Sequence, residues 1–212
     1  RKKFQRHTII ADMKTMDAGR IEVESAAKAG ADIIAVLGAA SDSTIRECIE
    51  AGKHYGAKIM VDLLQAHEWL KRAKEIEQMG ADYLALHTSI DQQMEGKISF
   101  ENVAQLAQEV NVPVAVAGGI NSENACKAVE AGAAIVIVGG AITKSEDAKK
   151  ATQEIKRAIS QKISIKTKFF KRVTDKNIRE VLEKVSTANI SDALHRQQAL
   201  REIYSITSGI KM

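Results

Sequence analysis

The chain has 212 residues, 45% hydrophobic, 27% charged and 4% aromatic, with a formal net charge of +4. That is the composition of an ordinary globular protein long enough for one sizeable core, and it excludes disordered and collagen-like classes. The longest uncharged apolar stretch, Ala131 to Ile142, runs to twelve residues, well short of the ~20 that a membrane helix needs.

Read in chain order, short apolar runs rich in β-branched residues fall at 8–11, 33–37, 59–63, 83–86, 112–117 and 135–138. They are apolar on both faces, as buried parallel strands are. Amphipathic helical patterns separate them at 18–29, 42–54, 68–79, 100–109 and 122–131, with another at 147–159. A Gly-Ala dipeptide recurs at Gly30-Ala31, Gly56-Ala57, Gly80-Ala81 and Gly132-Ala133. Each follows a helical segment, where a left-handed residue ends the helix, and leads into a strand. The only proline, Pro113, stands at a strand start, where it is tolerated.

Strand-helix alternation at a ~25-residue period predicts a parallel α/β architecture, either doubly wound or a (β/α) barrel of the TIM type. Two features favour the barrel. The units are near-equal, and polar or glycine residues end strand after strand: Asp12 and Lys14, Gly38, Asp62, His87, Gly118-Gly119, Gly139-Gly140. Barrel enzymes build their sites there, often with a phosphate site after strands seven and eight. The chain is therefore expected to hold six of eight units, 1–159, with the other two upstream of Arg1.

Charge divides the chain. Through residue 159 there are 20 Lys and Arg against 22 Asp and Glu, and after it 11 against 5. The shift marks a boundary near Ser160, followed by a basic linker at 160–175 and a helical tail at 176–212. The basic stretch offers only Phe169 and Phe170 for stacking, so nucleic acid is not an expected partner.

The string A-D-M-K-T-M-D at 11–17 carries the most chemistry. Positions two apart on a strand share a face, so Asp12 and Lys14 are expected to project together into the barrel mouth, with Asp17 just beyond at the start of the next helix. Such an array keeps the lysine charged and suits stabilisation of an enolate oxygen; a buried ion pair without chemistry is the alternative. His87 ends the fourth strand, where a histidine moves protons near neutral pH or is a satisfied core residue. Asp62 ends the third, either to orient substrate hydroxyls or the lysine, or as a solvated carboxylate. Gly118-Gly119 and Gly139-Gly140 each leave a strand for a helix; as a pair on successive strands they suit a phosphomonoester.

Other chemistries are disfavoured. No Walker or dinucleotide fingerprint occurs, the five histidines and the isolated Cys48 and Cys126 lack zinc spacing, and no nucleophilic elbow is visible. Trp69, Met60 and Met79 read as packing residues. The absence of a secretory pattern in the first residues and the framework-free cysteines favour a reducing cytoplasm.

Taken together, D-M-K-T-M-D at 12–17, A-V-L-G-A-A at 35–40, H-T-S-I-D-Q-Q at 87–93, P-V-A-V-A-G-G-I at 113–120 and V-I-V-G-G-A-I-T at 136–143 resemble the 3-hexulose-6-phosphate synthase family, within the orotidine monophosphate decarboxylase superfamily. The resemblance implies a dimeric barrel catalysing a reversible, Mg2+-dependent aldol reaction between formaldehyde and ribulose 5-phosphate. It makes Asp12 a metal ligand, Lys14 the support of the enediolate and His87 the acid/base group. By the same likeness Asp17 reaches into the neighbouring site of the dimer, Gly118, Gly119, Gly139 and Gly140 hold the phosphate, and Asp62 completes the polar cluster. The family's first two strands, with another acidic ligand, have no counterpart here. Residues 176–196 resemble the start of a ribonuclease-regulator-like domain; one amphipathic helix packing on the barrel is the plainer reading.

Two rival functions follow. A keto-sugar-phosphate decarboxylase of the same superfamily would use a similar array, but Ile90 and Ala141 stand where its arginines are expected. A non-catalytic regulatory module is the other.

Overall fold

A computed structural model of the chain describes residues 3–88 and 99–167, together with Ile178, Arg179 and Glu183. Among these residues six strands alternate with helices: β1 (Ile10–Thr15), α1 (Gly19–Lys28), β2 (Ile33–Leu37), α2 (Asp42–Tyr55), β3 (Lys58–Asp62), α3 (Trp69–Met79), β4 (Tyr83–His87), α4 (Phe100–Glu109), β5 (Val114–Ala117), α5 (Ala125–Glu130), β6 (Ile135–Ile137), α6 (Gly140–Thr143) and α7 (Ala148–Gln161). The strands lie in one sheet in the order β1-β2-β3-β4-β5-β6, every neighbouring pair parallel. A doubly wound sheet reverses its winding; this one never does. It is the open half of a TIM-type barrel, with β1 and β6 as its edges among the described residues.

The repeat in the sequence works as its chemistry demands. Gly30, Gly56, Gly80 and Gly132 all have positive φ, between 74° and 98°, so each helix ends in a left-handed turn that costs glycine little. The aspartate that follows the dipeptide in two repeats adds a function of its own. Asp32, just ahead of β2, accepts from the Ile9 amide at 2.7 Å, and Asp82, just ahead of β4, accepts from the Ile59 amide at 2.9 Å. Each carboxylate thus pins the start of the preceding strand to its neighbour and sets the register on which every strand-end residue depends.

Alternation along the strands divides the core in two. Ile34, Val36, Ile59, Val61, Leu84, Val114 and Val116 face the helices in the main cluster, while Ile33, Ala35, Met60, Ala85 and Ala115 form the inner face of the sheet. Helix starts are capped as polar residues predict. Ser41 accepts from the Thr44 amide at 3.2 Å, Ser99 from the Asn102 amide at 3.2 Å and Asp147 from the Lys150 amide at 2.9 Å.

Two expectations are corrected. The first strand runs to Thr15 rather than Ala11, so that Asp12 and Lys14 fall within the strand. The fifth helix begins at Ala125 rather than Ser122. There the Asn121 and Asn124 side chains accept from the amides of Glu123 and Asn121, both at 2.8 Å, and such local bonds compete with helix. The chain divides into two compact units, Arg1–Phe170 and Lys171–Met212. The tail reading at 176–212 lies almost wholly outside the described residues, within which the Glu183 amide donates to the Arg179 carbonyl at 3.0 Å. No helix among the described residues is long and apolar enough to cross a membrane.

The register aspartates are open to direct measurement. Asp82→Ala strands the Ile59 amide and is expected to lower unfolding free energy by about 1–3 kcal/mol, read as a lower urea midpoint at unchanged slope. An unchanged midpoint would show that the ladder holds its register without the carboxylate.

Candidate active site

The C-terminal ends of β1, β3 and β4 bring four residues together, Asp12, Lys14, Asp62 and His87. β1 pairs with β2 regularly from Ile10 to Asp12, then skips to Thr15, leaving Met13 and Lys14 as a bulge. Lys14 has φ 50°, a left-handed conformation unusual for a residue with a Cβ. The meeting of Asp12 and Lys14 therefore does not come from strand alternation, as the sequence suggests; the bulge re-aims Lys14. The bulge is closed by Thr15, 2% exposed, whose hydroxyl donates to Glu22 Oε2 in α1 at 2.6 Å.

Lys14 Nζ donates to both Asp12 oxygens, at 2.8 and 2.9 Å, and to Asp62 Oδ2 at 3.3 Å. The same Asp62 oxygen lies 3.1 Å from His87 Nδ1, and Asp62 Oδ1 accepts from the Leu64 amide at 3.0 Å. Side-chain exposure falls from 61% at Asp12 through 32% at Lys14 to 6% at Asp62. The array thus leads from the mouth inward.

Its protonation states follow. Burial pushes the Asp62 carboxyl up, but the His87 hydrogen bond and charge, the Leu64 amide and Lys14 more than offset it and hold Asp62 below the usual aspartate range. Burial pulls the Lys14 ammonium down, but the bond to Asp12 and the charges of Asp62 and Asp12 more than offset it, and Lys14 stays protonated beyond its ordinary range. An ionised Asp62 only accepts, so His87 Nδ1 carries the proton of that bond and, in the neutral imidazole, Nε2 keeps its lone pair.

Asp17 is not part of this array. Its carboxylate accepts from the Ala18 amide at 2.7 Å ahead of α1, and no ion pair joins it to Lys14 among the described residues. The second carboxylate on the lysine is Asp62, 48 residues further along the chain.

The glycine pairs differ from each other. Gly118 and Gly119 have φ 95° and 72°, yet α5 begins only at Ala125, so this turn does not open a helix directly. Gly139 does cap a helix, the four-residue α6. Neither Gly139 nor Gly140 has positive φ; a Cβ at Gly139 would meet nothing within 4 Å, and one at Gly140 only Lys144 side-chain carbons at 3.7 and 3.9 Å. At Gly140 neither handedness nor crowding calls for glycine, and beside both residues the backbone at the end of β6 faces open space.

Arg72, unmarked in the sequence, shapes the mouth. From α3 it donates to the Gly38 and Ala40 carbonyls, each at 2.9 Å, and to Asp42 at 2.5 Å, fixing the loop after β2. That loop is also tied to Asp62, whose carbonyl accepts from the Gly38 amide at 2.7 Å. Of the H-T-S-I-D-Q-Q string, residues 89–93 lie outside the described residues.

The described residues hold no group of three His, Cys, Asp or Glu able to cage a metal ion. Asp12 alone faces outward, and a carboxylate has about four lone-pair positions, so it retains acceptor capacity beside Lys14. That is a donor set for an ion completed by substrate and water, as Mg2+ often is.

The family model for the orotidine 5'-phosphate decarboxylase / HUMPS family matches residues 1–155. The chain belongs to that family. Within it, the chain is similar to 3-hexulose-6-phosphate synthase of Bacillus subtilis (strain 168), 41% identical over 159 residues that make up 74% of this chain and 76% of the relative. The crystal structure of 3-hexulose-6-phosphate synthase from Salmonella typhimurium superimposes with a TM-score of 0.72 at 34% identity, covering 76% of each chain. That of 3-keto-L-gulonate-6-phosphate decarboxylase from Vibrio cholerae gives 0.67 at 25%, also over 76% of each. The barrel inferred from the repeat is thus the fold of this family's enzymes.

Asp62 leaves a signature in stability. Its folded value lies below its unfolded one, so its contribution is fully present above the usual aspartate range and is lost as pH falls through the lowered folded value. Urea unfolding between pH 7 and 3 should show an acid fall that is shallower in Asp62→Asn; parallel curves would mean that the carboxylate is not stabilised by its partners.

Proposed function

We propose that the chain is an aldehyde-lyase that condenses formaldehyde with ribulose 5-phosphate to 3-hexulose 6-phosphate, reversibly. The observation that carries the proposal is the Lys14 ammonium held between Asp12 and Asp62, with His87 on the same Asp62 oxygen. The similarity to the Bacillus subtilis and Salmonella typhimurium synthases supports it.

The reaction needs a proton removed from the carbon beside a ketone and a charge sheltered on oxygen. His87 Nε2 takes the proton, and the electron pair moves onto the ketone oxygen as an enediolate. Lys14 offers that oxygen a fixed positive charge, which costs no reorganisation because Asp12 and Asp62 already hold it. The carbon then bonds to the carbon of formaldehyde, and the aldehyde oxygen takes the proton back from the imidazolium. Mg2+, where bound, would be held by Asp12 and would supply further positive charge to the developing enediolate. The phosphate is assigned to Gly118, Gly119, Gly139 and Gly140, whose backbone a phosphate can approach closely. In this reading Asp17 serves the neighbouring site of a homodimer; it is flanked by exposed Met13, Met16 and Ile21, an apolar surface suited to a second copy. A decarboxylase of the family is the second reading, supported by the likeness to the Vibrio cholerae enzyme.

A steady-state assay with ribulose 5-phosphate, formaldehyde and magnesium tests the chemistry. Lys14→Ala is expected to cut turnover about a thousandfold or more, the scale of a lost electrostatic stabiliser, and His87→Gln about 10²–10⁴-fold with loss of one limb of the pH profile. Near wild-type turnover in Lys14→Ala would refute the assignment, and release of carbon dioxide from a 3-keto sugar acid phosphate, with no condensation, would favour the decarboxylase.

Gly140 separates binding from folding. Because a Cβ there meets only ordinary contacts, Gly140→Val should leave the melting temperature in place while raising KM for ribulose 5-phosphate. A stable variant with unaltered KM would move the phosphate elsewhere.

A further inference from the structure

Past α7 the chain turns at Lys162, φ 54°, and runs back along the loop between β5 and α5. Four hydrogen bonds hold it there. The Ile165 amide donates to the Ser122 carbonyl at 2.9 Å, the Ser122 hydroxyl to the Ile165 carbonyl at 2.8 Å, the Ser164 hydroxyl to the Glu123 carbonyl at 2.9 Å and the Thr167 amide to Glu123 Oε1 at 2.9 Å. Ser122 and Thr167 are 3% and 6% exposed, so two polar residues are buried in the contact. A stretch without helix or strand of its own is thereby held to two residues more than 40 positions earlier. It also lies beyond residue 155, where the family match ends.

What it holds matters. Ser122 and Glu123 belong to the turn that follows Gly118-Gly119, and Asn124 Nδ2 reaches back to the Gly119 carbonyl at 3.2 Å. Two consecutive glycines are the least constrained backbone a chain can have. Their shape has to be imposed from outside, by the Asn121 and Asn124 bonds on one side and by residues 163–167 on the other.

We propose that residues 163–167 form a positioning strap, which holds the 121–124 turn and through it the Gly118-Gly119 turn in the shape that receives the phosphate of the substrate. The phosphate half of this statement rests on the proposed function; the strap itself does not. A strap of this kind acts on binding and not on proton transfer, since its bonds reach Ser122 and Glu123 and none of Lys14, Asp62 and His87.

Three variants of the full chain test it. Glu123→Ala removes the acceptor of the Thr167 amide, Ile165→Pro removes the amide that bonds Ser122, and Glu123→Gln keeps an acceptor oxygen. In the first two, amide hydrogen exchange at residues 118–121 should quicken and KM for ribulose 5-phosphate should rise about tenfold, the scale of one or two lost hydrogen bonds, with kcat within about twofold. Glu123→Gln should stay near wild type in both. Unchanged exchange at 118–121 in folded Glu123→Ala and Ile165→Pro overturns the strap, as does a fall in kcat at unaltered KM. If the wild type turns over no ribulose 5-phosphate, the reading of function fails instead, and the exchange measurement, which needs no substrate, still decides the strap.

Discussion

One buried carboxylate organises the site. Asp62 is 4% exposed, where an unpaired charge would be costly, yet one of its oxygens faces both the Lys14 ammonium and the His87 imidazole while the other takes the Leu64 amide. Those partners come from β1, β4 and the loop after β3, so a single ionised group ties together three strand ends that are remote in sequence. Because it is ionised, it helps keep Lys14 charged and directs the His87 proton to Nδ1. Two roles, a fixed positive charge and an available base, therefore depend on the same oxygen. Losing the carboxylate would leave Lys14 with Asp12 alone, near the surface and more readily shared with water.

The backbone around Asp62 is constrained to match. Its carbonyl accepts from the Gly38 amide, and the Leu63 amide donates to the Ala85 carbonyl, so the residue is held by hydrogen bonds on both sides of its sheet position. Gly38 in turn is held by Arg72. A Cβ at Gly38 would lie 3.2 Å from the Asp62 carbonyl oxygen, tighter than an ordinary contact, which favours a residue without one there. At the opposite ends of the strands, Asp32 and Asp82 perform the complementary task of setting register. The sheet is thus pinned at its base by carboxylates bonded to backbone, and at its mouth by a carboxylate bonded to Lys14 and His87.

Much of this is legible in the amino-acid sequence, for a physical reason. Strand and helix periods, and the glycines that separate them, are local properties, and local properties are written in consecutive residues. Ile33–Leu37 and Phe100–Glu109 fall where the pattern puts them. Lys14, Asp62 and His87 were legible as strand-end polar residues, though their mutual bonds were not, because a period says which face a side chain takes and not what it meets across 25 or 48 residues. The bulge at Met13 and Lys14 was hidden for the opposite reason: nothing in the residues themselves demands a left-handed lysine, and only the lock of Thr15 on Glu22 and the pull of two carboxylates place it there. Arg72 left no mark, since two of its partners are main-chain carbonyls, which every residue carries, and Asp42 stands 30 positions away in the sequence. A trace of the register aspartates was present in the Gly-Ala-Asp strings at Gly30 and Gly80.

The two glycine pairs show that one sequence feature can have two causes. Gly118 and Gly119 are glycine because the backbone there is left-handed, a requirement of the chain's own path that holds whether or not a ligand exists. Gly140 has neither a left-handed backbone nor a crowding neighbour, so the chain's own packing and handedness give no reason for glycine there. An external reason, such as close approach of a ligand to the backbone, is then the stronger inference at the second pair than at the first. It follows that the first pair needs shaping by its surroundings, because permissive residues do not hold a geometry, whereas α6 holds the second by its own hydrogen bonds from Ile142 and Thr143 back to the Gly139 carbonyl. Contacts that reach the first turn from elsewhere in the chain accordingly have more leverage on the shape of its end of the mouth than equal contacts at the second.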